Sequence, residues 1–178
     1  GLIHIGHYDL GDSAVPSRRL NEPEVEHGGL TDFGRQVVRR LNELGIMADV
    51  SHASKQTALD IMAESTAPVI ASHSSLKGVY DHPRNMSDEE LIGVKETNGV
   101  VQVVAFDGYL RAVPQEKQNA ISDLWADMGI RNFGDMRALD SIALEIYDDR
   151  MAEIELEYPR AGVKDLVDHI DYAIGKVG

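Results

Sequence analysis

The sequence predicts an α/β fold of repeating strand–helix units, and three observations carry that reading. Short, near-continuous apolar runs at 46–50, 68–72 and 100–105 alternate with segments of helical periodicity. The runs lack polar alternation, as expected of parallel strands covered by helices on both faces. Polar residues then gather where the runs end, the place where α/β proteins collect their chemistry. Units of this kind join by right-handed crossovers into an open sheet or a (β/α)8 barrel. No Gly-rich phosphate loop of the G-x-G-x-x-G or Walker kind is present, which favours a barrel with a polar or metal centre.

Leu2 to His4 reads as the tail of a first strand, and 5–29 as a long loop rich in Gly, Pro and charge. Thr31 is the expected N-cap of a helix reaching about Leu44, with Leu30, Phe33, Val37, Val38, Leu41 and Leu44 on one stripe. Gly45 ends it at the C′ position. Strand 46–50, helix 54–65 and strand 68–72 follow, then a loop through "KGVYDHPRN". Ser87-x-x-Glu90 is a capping box that opens a helix to about Thr97. Asn98-Gly99 turns the chain into strand 100–105. The 116–160 region is expected to be mostly helical and acidic. A last amphipathic helix is marked by Val163, Leu166, Val167, Ile170, Ala173, Ile174 and Val177.

With 178 residues, 43% of them apolar and 26% charged, the chain has the composition of a globular domain. Its formal charge of −13 argues against nucleic acid and anionic lipid as partners. No apolar run approaches the roughly 20 residues that span a bilayer. Cysteine is absent, so a metal site must be built from His, Asp and Glu. Both ends read as cut, with no initiating Met and a closing helix that points toward another strand. The expectation is therefore a single incomplete domain over 1–178 with a helical insertion at about 116–160. The localisation is left open.

"DVSHAS" and "IASHSS" each end a strand with Ser-His and a small residue, 21 positions apart at His52 and His73. A single buried histidine is usually structural, hydrogen-bonded through both nitrogens. Two at equivalent exits of neighbouring strands, about 4.8 Å apart, can reach one ion through Zn–N bonds near 2.1 Å. Ser51, Ser72, Ser74 and Ser75 are candidates to orient those rings. In "HIGH", His4 sits at the strand exit and is the better candidate, while His7 reads as loop surface. His27, His82 and His169 receive no role. Arg84 in "DHPRN" is either a surface arginine or a fork for a substrate carboxylate, and Tyr109 could line the same mouth. "EIELEY" reads as a solvated helix face.

At these residues the sequence resembles the renal dipeptidase-like (membrane dipeptidase) metallopeptidases. "GLTDFGRQVVRRLNELGIMADVSHAS", "PVIASHSS" and "HPRN" are similar to that family's central segment, and "HIGHYDLGDS" to the segment with a substrate-contacting histidine. The resemblance implies a (β/α)8 hydrolase with two zinc ions that cleaves dipeptides. It implies that His52 and His73 ligate one zinc, that His4 stabilises the oxyanion, and that Arg84 holds the substrate carboxylate with Tyr109 nearby. The family's His-x-Asp motif and bridging Glu fall before Gly1, and a further Asp falls beyond Gly178. Asp107 stands where the family pattern suggests an uncharged polar residue. The expectation is about half of a barrel, with at most one partial zinc site and weak or no activity by itself. The alternative is a non-catalytic binding module, or a homo-oligomer that pairs the exposed sheet edges of a half barrel.

Overall fold

The computed structural model describes residues 2–4, 8–14 and 25–178, with side chains described for 9–14 and 25–178. Four parallel strands form one sheet in sequence order: β1 (Leu2–His4), β2 (Met47–Asp49), β3 (Ile70–Ser74) and β4 (Val100–Val103). Each βα step moves one strand along the sheet, the winding of a barrel rather than of a sheet that reverses direction. The chain divides into two compact units. One comprises Gly1–Arg111 with Val163–Gly178, and the other Ala112–Gly162.

Helix α1 (Asp32–Glu43) begins where expected, because the Thr31 hydroxyl accepts the Gly34 N–H at 2.9 Å. It ends in a Schellman closure: Gly45 N–H donates to Asn42 O, Ile46 N–H donates to Leu41 O, and Gly45 holds φ at 66°. Its buried face carries Gly34, Val38 and Leu41. Phe33 and Leu44, expected on the same stripe, are more than half exposed. They lie on the flank of a face centred on Val38, at the edge of what a 3.6-residue period can bury. Gly34 is required on that face, because a Cβ there would sit 2.1 Å from Leu10 O.

Helix α2 (Lys55–Glu64) is capped by Ser54. Helix α3 (Asp88–Glu96) carries the complete Ser87–Glu90 capping box. With the strands they enclose a core that includes Val38, Ile61, Val69, Ala71, Leu76 and Val94. The last strand is less covered than its apolar run suggested: Val100 is 49% exposed, since β4 lies at one edge of the described sheet. A short helix α4 (Asp107–Leu110) replaces the start of the expected loop.

Helix α8 (Val163–Val177) packs along only part of the predicted stripe, with Ala173 and Val177 against the core. Val163, Val167, Ile170 and Ile174 are exposed, whereas His169 is fully buried. The His169 Nδ1 accepts the Leu76 N–H at 2.9 Å, and Nε2 faces Leu110 O at 3.0 Å. Two otherwise stranded backbone groups thus meet one neutral imidazole. Tyr172 adds a second tie, its hydroxyl donating to Asp88 Oδ1 at 2.6 Å.

The second unit contains α5 (Gln115–Asp127), α6 (Phe133–Arg137) and α7 (Ser141–Glu157). Leu124 is its fully buried apolar residue, and Trp125 stands edge-on to Phe133 at 5.5 Å. Among the described residues no helix is long and apolar enough to cross a membrane.

Candidate functional site

Asp49 of β2 pairs with Ile70 of β3, an offset of 21 that carries forward to His52 and His73. Equal offset alone does not aim two side chains at one point. Two departures from regular strand backbone do so here. After β2, His52 adopts φ 72°, a left-handed conformation that costs a non-glycine residue about 1–2 kcal/mol. Within β3, three steps from Ala71 to Ser74 face only two from Val101 to Val103, so one residue is extra at Ser72–His73. Bulges of this kind re-aim side chains beside functional sites.

The two imidazoles meet at their Nε2 atoms, 2.7 Å apart, with ring planes inclined by 61°. Beneath them lies a buried polar mesh. Asp49, fully buried, accepts the N–H groups of Ser51 and Ser72 on Oδ1, each at 3.0 Å. The Ser72 hydroxyl donates to Asp49 Oδ2 at 2.5 Å and contacts His73 Nδ1 at 2.7 Å. Ser51 Oγ accepts the His73 N–H at 3.0 Å and lies 3.3 Å from Ser74 Oγ. Side chains of β2 therefore take up backbone donors around the bulge of β3.

The donor set fits a divalent transition metal. Two Zn–N bonds of about 2.1 Å at a tetrahedral angle hold the nitrogens roughly 3.4 Å apart, so a small ring rotation opens the pair enough. Two imidazoles are an incomplete first shell. Among the described residues no group of three His, Asp or Glu side chains is placed to hold an ion. His4 closes β1 opposite Asp49, while its side chain and all of His7 lie outside the described residues.

Arg84 is 4% exposed. Its Nη1 donates to the Tyr109 hydroxyl at 2.9 Å, and its guanidinium carbon stands 5.2 Å from the Tyr109 ring centre. Arg84 Nε and Nη2 are buried without a hydrogen-bond partner among the described residues, as is Asn85 Oδ1. Nε and Nη2 form one edge of the guanidinium fork, the edge that receives a carboxylate bidentately. Asn85 holds the loop by donating from Nδ2 to Tyr80 O and Tyr109 O, at 2.9 and 2.8 Å. A cavity of about 490 Å³ is lined by His52 and Arg84 together with Asp12, Lys55, Asn85 and Glu90.

Two contributors were invisible to the sequence reading. Asp49 was passed over as part of an apolar run, although a charge inside "IMADVSH" was the signal available. His82, given no role, accepts the Arg84 N–H on Nδ1 at 3.1 Å, and its ring lies 4.8 Å from that of Tyr109. Burial lowers the His82 pKa below the ordinary histidine value, with the charges of Arg84 and Lys77 acting in the same direction.

Comparisons with known proteins bear on the family and the fold. A probable dipeptidase from Pseudomonas aeruginosa superposes with a TM-score of 0.71 at 34% identity, over 98% of this chain and 46% of that one. A metallo peptidase from Rhodobacter sphaeroides, solved with a phosphinate mimic of the dipeptide L-Ala-D-Ala, gives 0.60 at 25% identity, over 96% of this chain and 36% of that one. An uncharacterized dipeptidase of Schizosaccharomyces pombe is 44% identical over 106 residues, which is 60% of this chain and 24% of the relative. The chain thus spans less than half the length of these relatives. The family model for membrane dipeptidase, peptidase family M19, matches residues 1–178 in full, and the chain belongs to that family.

Proposed function

We propose that the chain is the central part of a zinc-dependent dipeptidase barrel, supplying half of one metal site and the pocket for the substrate's carboxylate. The observation that carries this reading is the pairing of functions around one cavity: imidazole ligands at His52, and at Arg84 a buried fork with two unused donors. His52 and His73 would hold one zinc through Nε2. A bound zinc would lower the pKa of its water, so that hydroxide becomes available near neutral pH. Arg84 binds the C-terminal carboxylate of a dipeptide through Nε and Nη2, while the Tyr109 hydroxyl fixes the third arm of the guanidinium. His4, the last residue of β1, is assigned the donor to the oxyanion that develops as the peptide bond is attacked, a role that rests on the family resemblance.

On this reading residues 1–178 form one incomplete barrel domain with a helical insertion at about 116–160. The chain alone hydrolyses dipeptides weakly or not at all, because its described residues offer two ligands for a first zinc. A second reading, a carboxylate-binding module without chemistry, is favoured by one observation: no third ligand stands near the His pair among the described residues. Zinc titration of the chain, beside a His52→Ala/His73→Ala double variant, tests the metal assignment. Weak uptake that the double variant loses supports it, and equal uptake by both proteins refutes it. Titration with a dipeptide in the absence of metal then tests the carboxylate pocket separately.

A further inference from the structure

We infer that Asp49, acting through Ser72, is a positioning residue that holds His73 as the Nδ1–H tautomer and so keeps Nε2 unprotonated, as a ligand must be. The inference rests on the metal reading above, but its structural half can be tested without metal. The Ser72 hydroxyl has one proton, and the Asp49 carboxylate receives it at 2.5 Å. Ser72 Oγ can then meet His73 Nδ1, 2.7 Å away, only as an acceptor. His73 Nδ1 must therefore carry the hydrogen. A neutral imidazole has one N–H, so Nε2 presents a bare lone pair. On this tautomer the lone pair would accept from His52 Nε2, 2.7 Å away. The direction of the relay is fixed at its buried end. Asp49 Oδ1 is occupied by the N–H groups of Ser51 and Ser72, which anchor the carboxylate and point Oδ2 at the hydroxyl.

The relay explains why an acid, rather than its amide, stands at position 49. Asparagine has nearly the same shape and could still accept the two backbone N–H groups on Oδ1. Its NH2 group would then face Ser72 Oγ as a donor. The hydroxyl would turn to donate to His73 Nδ1, and the ring proton would move to Nε2, blocking the ligand position. A change of one buried atom thus reverses every hydrogen bond up to the metal position.

The test combines two readouts on the wild-type chain, Asp49→Asn, Ser72→Ala and the double variant. Long-range 15N–1H correlation of labelled histidine in the metal-free protein reports the His73 tautomer, and zinc titration reports affinity. Wild type should show Nδ1–H at His73, and Asp49→Asn should show Nε2–H. Asp49→Asn should also weaken zinc binding about 10- to 100-fold, the usual effect of losing a partner of a ligating histidine. Once Ser72 is alanine the relay is cut, so Asp49→Asn should add less than about threefold. An Nε2–H tautomer in wild type overturns the proposal. So does an Asp49→Asn effect of equal size with and without Ser72, because Asp49 would then act through charge or folding. Should Asp49→Asn not fold, the wild-type tautomer and its loss in Ser72→Ala decide the matter. Wild type that shows Nδ1–H but takes up no zinc refutes the metal reading, and with it the ligand role assigned to the relay.

Discussion

Replacing Arg84 by methionine should make the chain more stable and leave it unable to hold a carboxylate ligand. Arg84 is 4% exposed, yet two of its nitrogen atoms, Nε and Nη2, have no hydrogen-bond partner among the described residues. Leaving a buried donor unsatisfied costs about 1–3 kcal/mol, more when the group is charged. Two such donors therefore cost roughly 2–6 kcal/mol in the free protein. Against this stand the Nη1 bond to the Tyr109 hydroxyl and the stacking of the guanidinium over the Tyr109 ring. Together those contribute about 2–4 kcal/mol. Methionine keeps much of the stem's volume and removes both the unmet donors and the two favourable contacts. The net expectation is a gain of about 1–2 kcal/mol.

A carboxylate that meets both free donors makes two charge-assisted hydrogen bonds, each contributing about 1.5–3 kcal/mol. Losing them should weaken binding by at least about a hundredfold. Urea unfolding of wild type and Arg84→Met, followed by titration of each with a dipeptide, reads both effects. Opposite signs are the signature of a donor pair held open for a ligand. A variant that loses stability while binding unchanged would show that Arg84 is a structural residue, and the carboxylate pocket would have to be abandoned.

Three further outcomes follow from the same geometry. Gly34→Ala should destabilise the chain by about 1–3 kcal/mol, because the new Cβ must displace Leu10 O from 2.1 Å; a urea midpoint within error of wild type would refute the close approach. His169→Leu strands the Leu76 N–H and the Leu110 carbonyl, and should cost about 2–5 kcal/mol in the same assay. His82 has a lowered folded pKa, so the stability it lends is complete above pH 6.5 and is lost as pH falls through the folded value. Unfolding measured across that window should fall with acid in wild type and flatten in His82→Phe. An unchanged slope would exclude His82 as the titrating group.

How much of this was legible in the sequence differs from one feature to another. Caps were readable because Thr31, Ser87 and Gly45 act on their own backbone neighbours, within three or four residues. The His52–His73 pair was readable because their separation of 21 equals the strand register, which periodic βα units preserve. The stripe assigned to α8 holds only in part, for the opposite reason. Apolar periodicity finds the greasy face of a helix, but this helix is tied down by His169, Tyr172 and Lys176 to partners 59 to 93 residues away. Exposure of Phe33 and Val100 also depends on what neighbours them in space, and no local pattern encodes that.

Asp49 shows where the pattern reading had to fail. A strand that must aim a side chain at an ion cannot remain regular. The extra residue at Ser72–His73 and the positive φ at His52 each disturb the backbone within a few ångströms of the same point. A bulge takes N–H groups out of the regular ladder, and a buried N–H without a partner is costly. The Ser72 N–H goes to Asp49 and the His73 N–H to Ser51, so a charged residue and a serine occupy positions that an apolar strand would give to valine. Local rules are broken here in a compensated way, and the compensation has a direction: the carboxylate that takes up the Ser72 N–H on one oxygen also holds, on the other, the hydroxyl that meets the His73 ring. A strand built only for stability would need neither the bulge nor the acid. Finding the bulge of β3 beside the acid of β2 is the structural reason to test His52 and His73 as a site and not to set them aside as two satisfied core histidines.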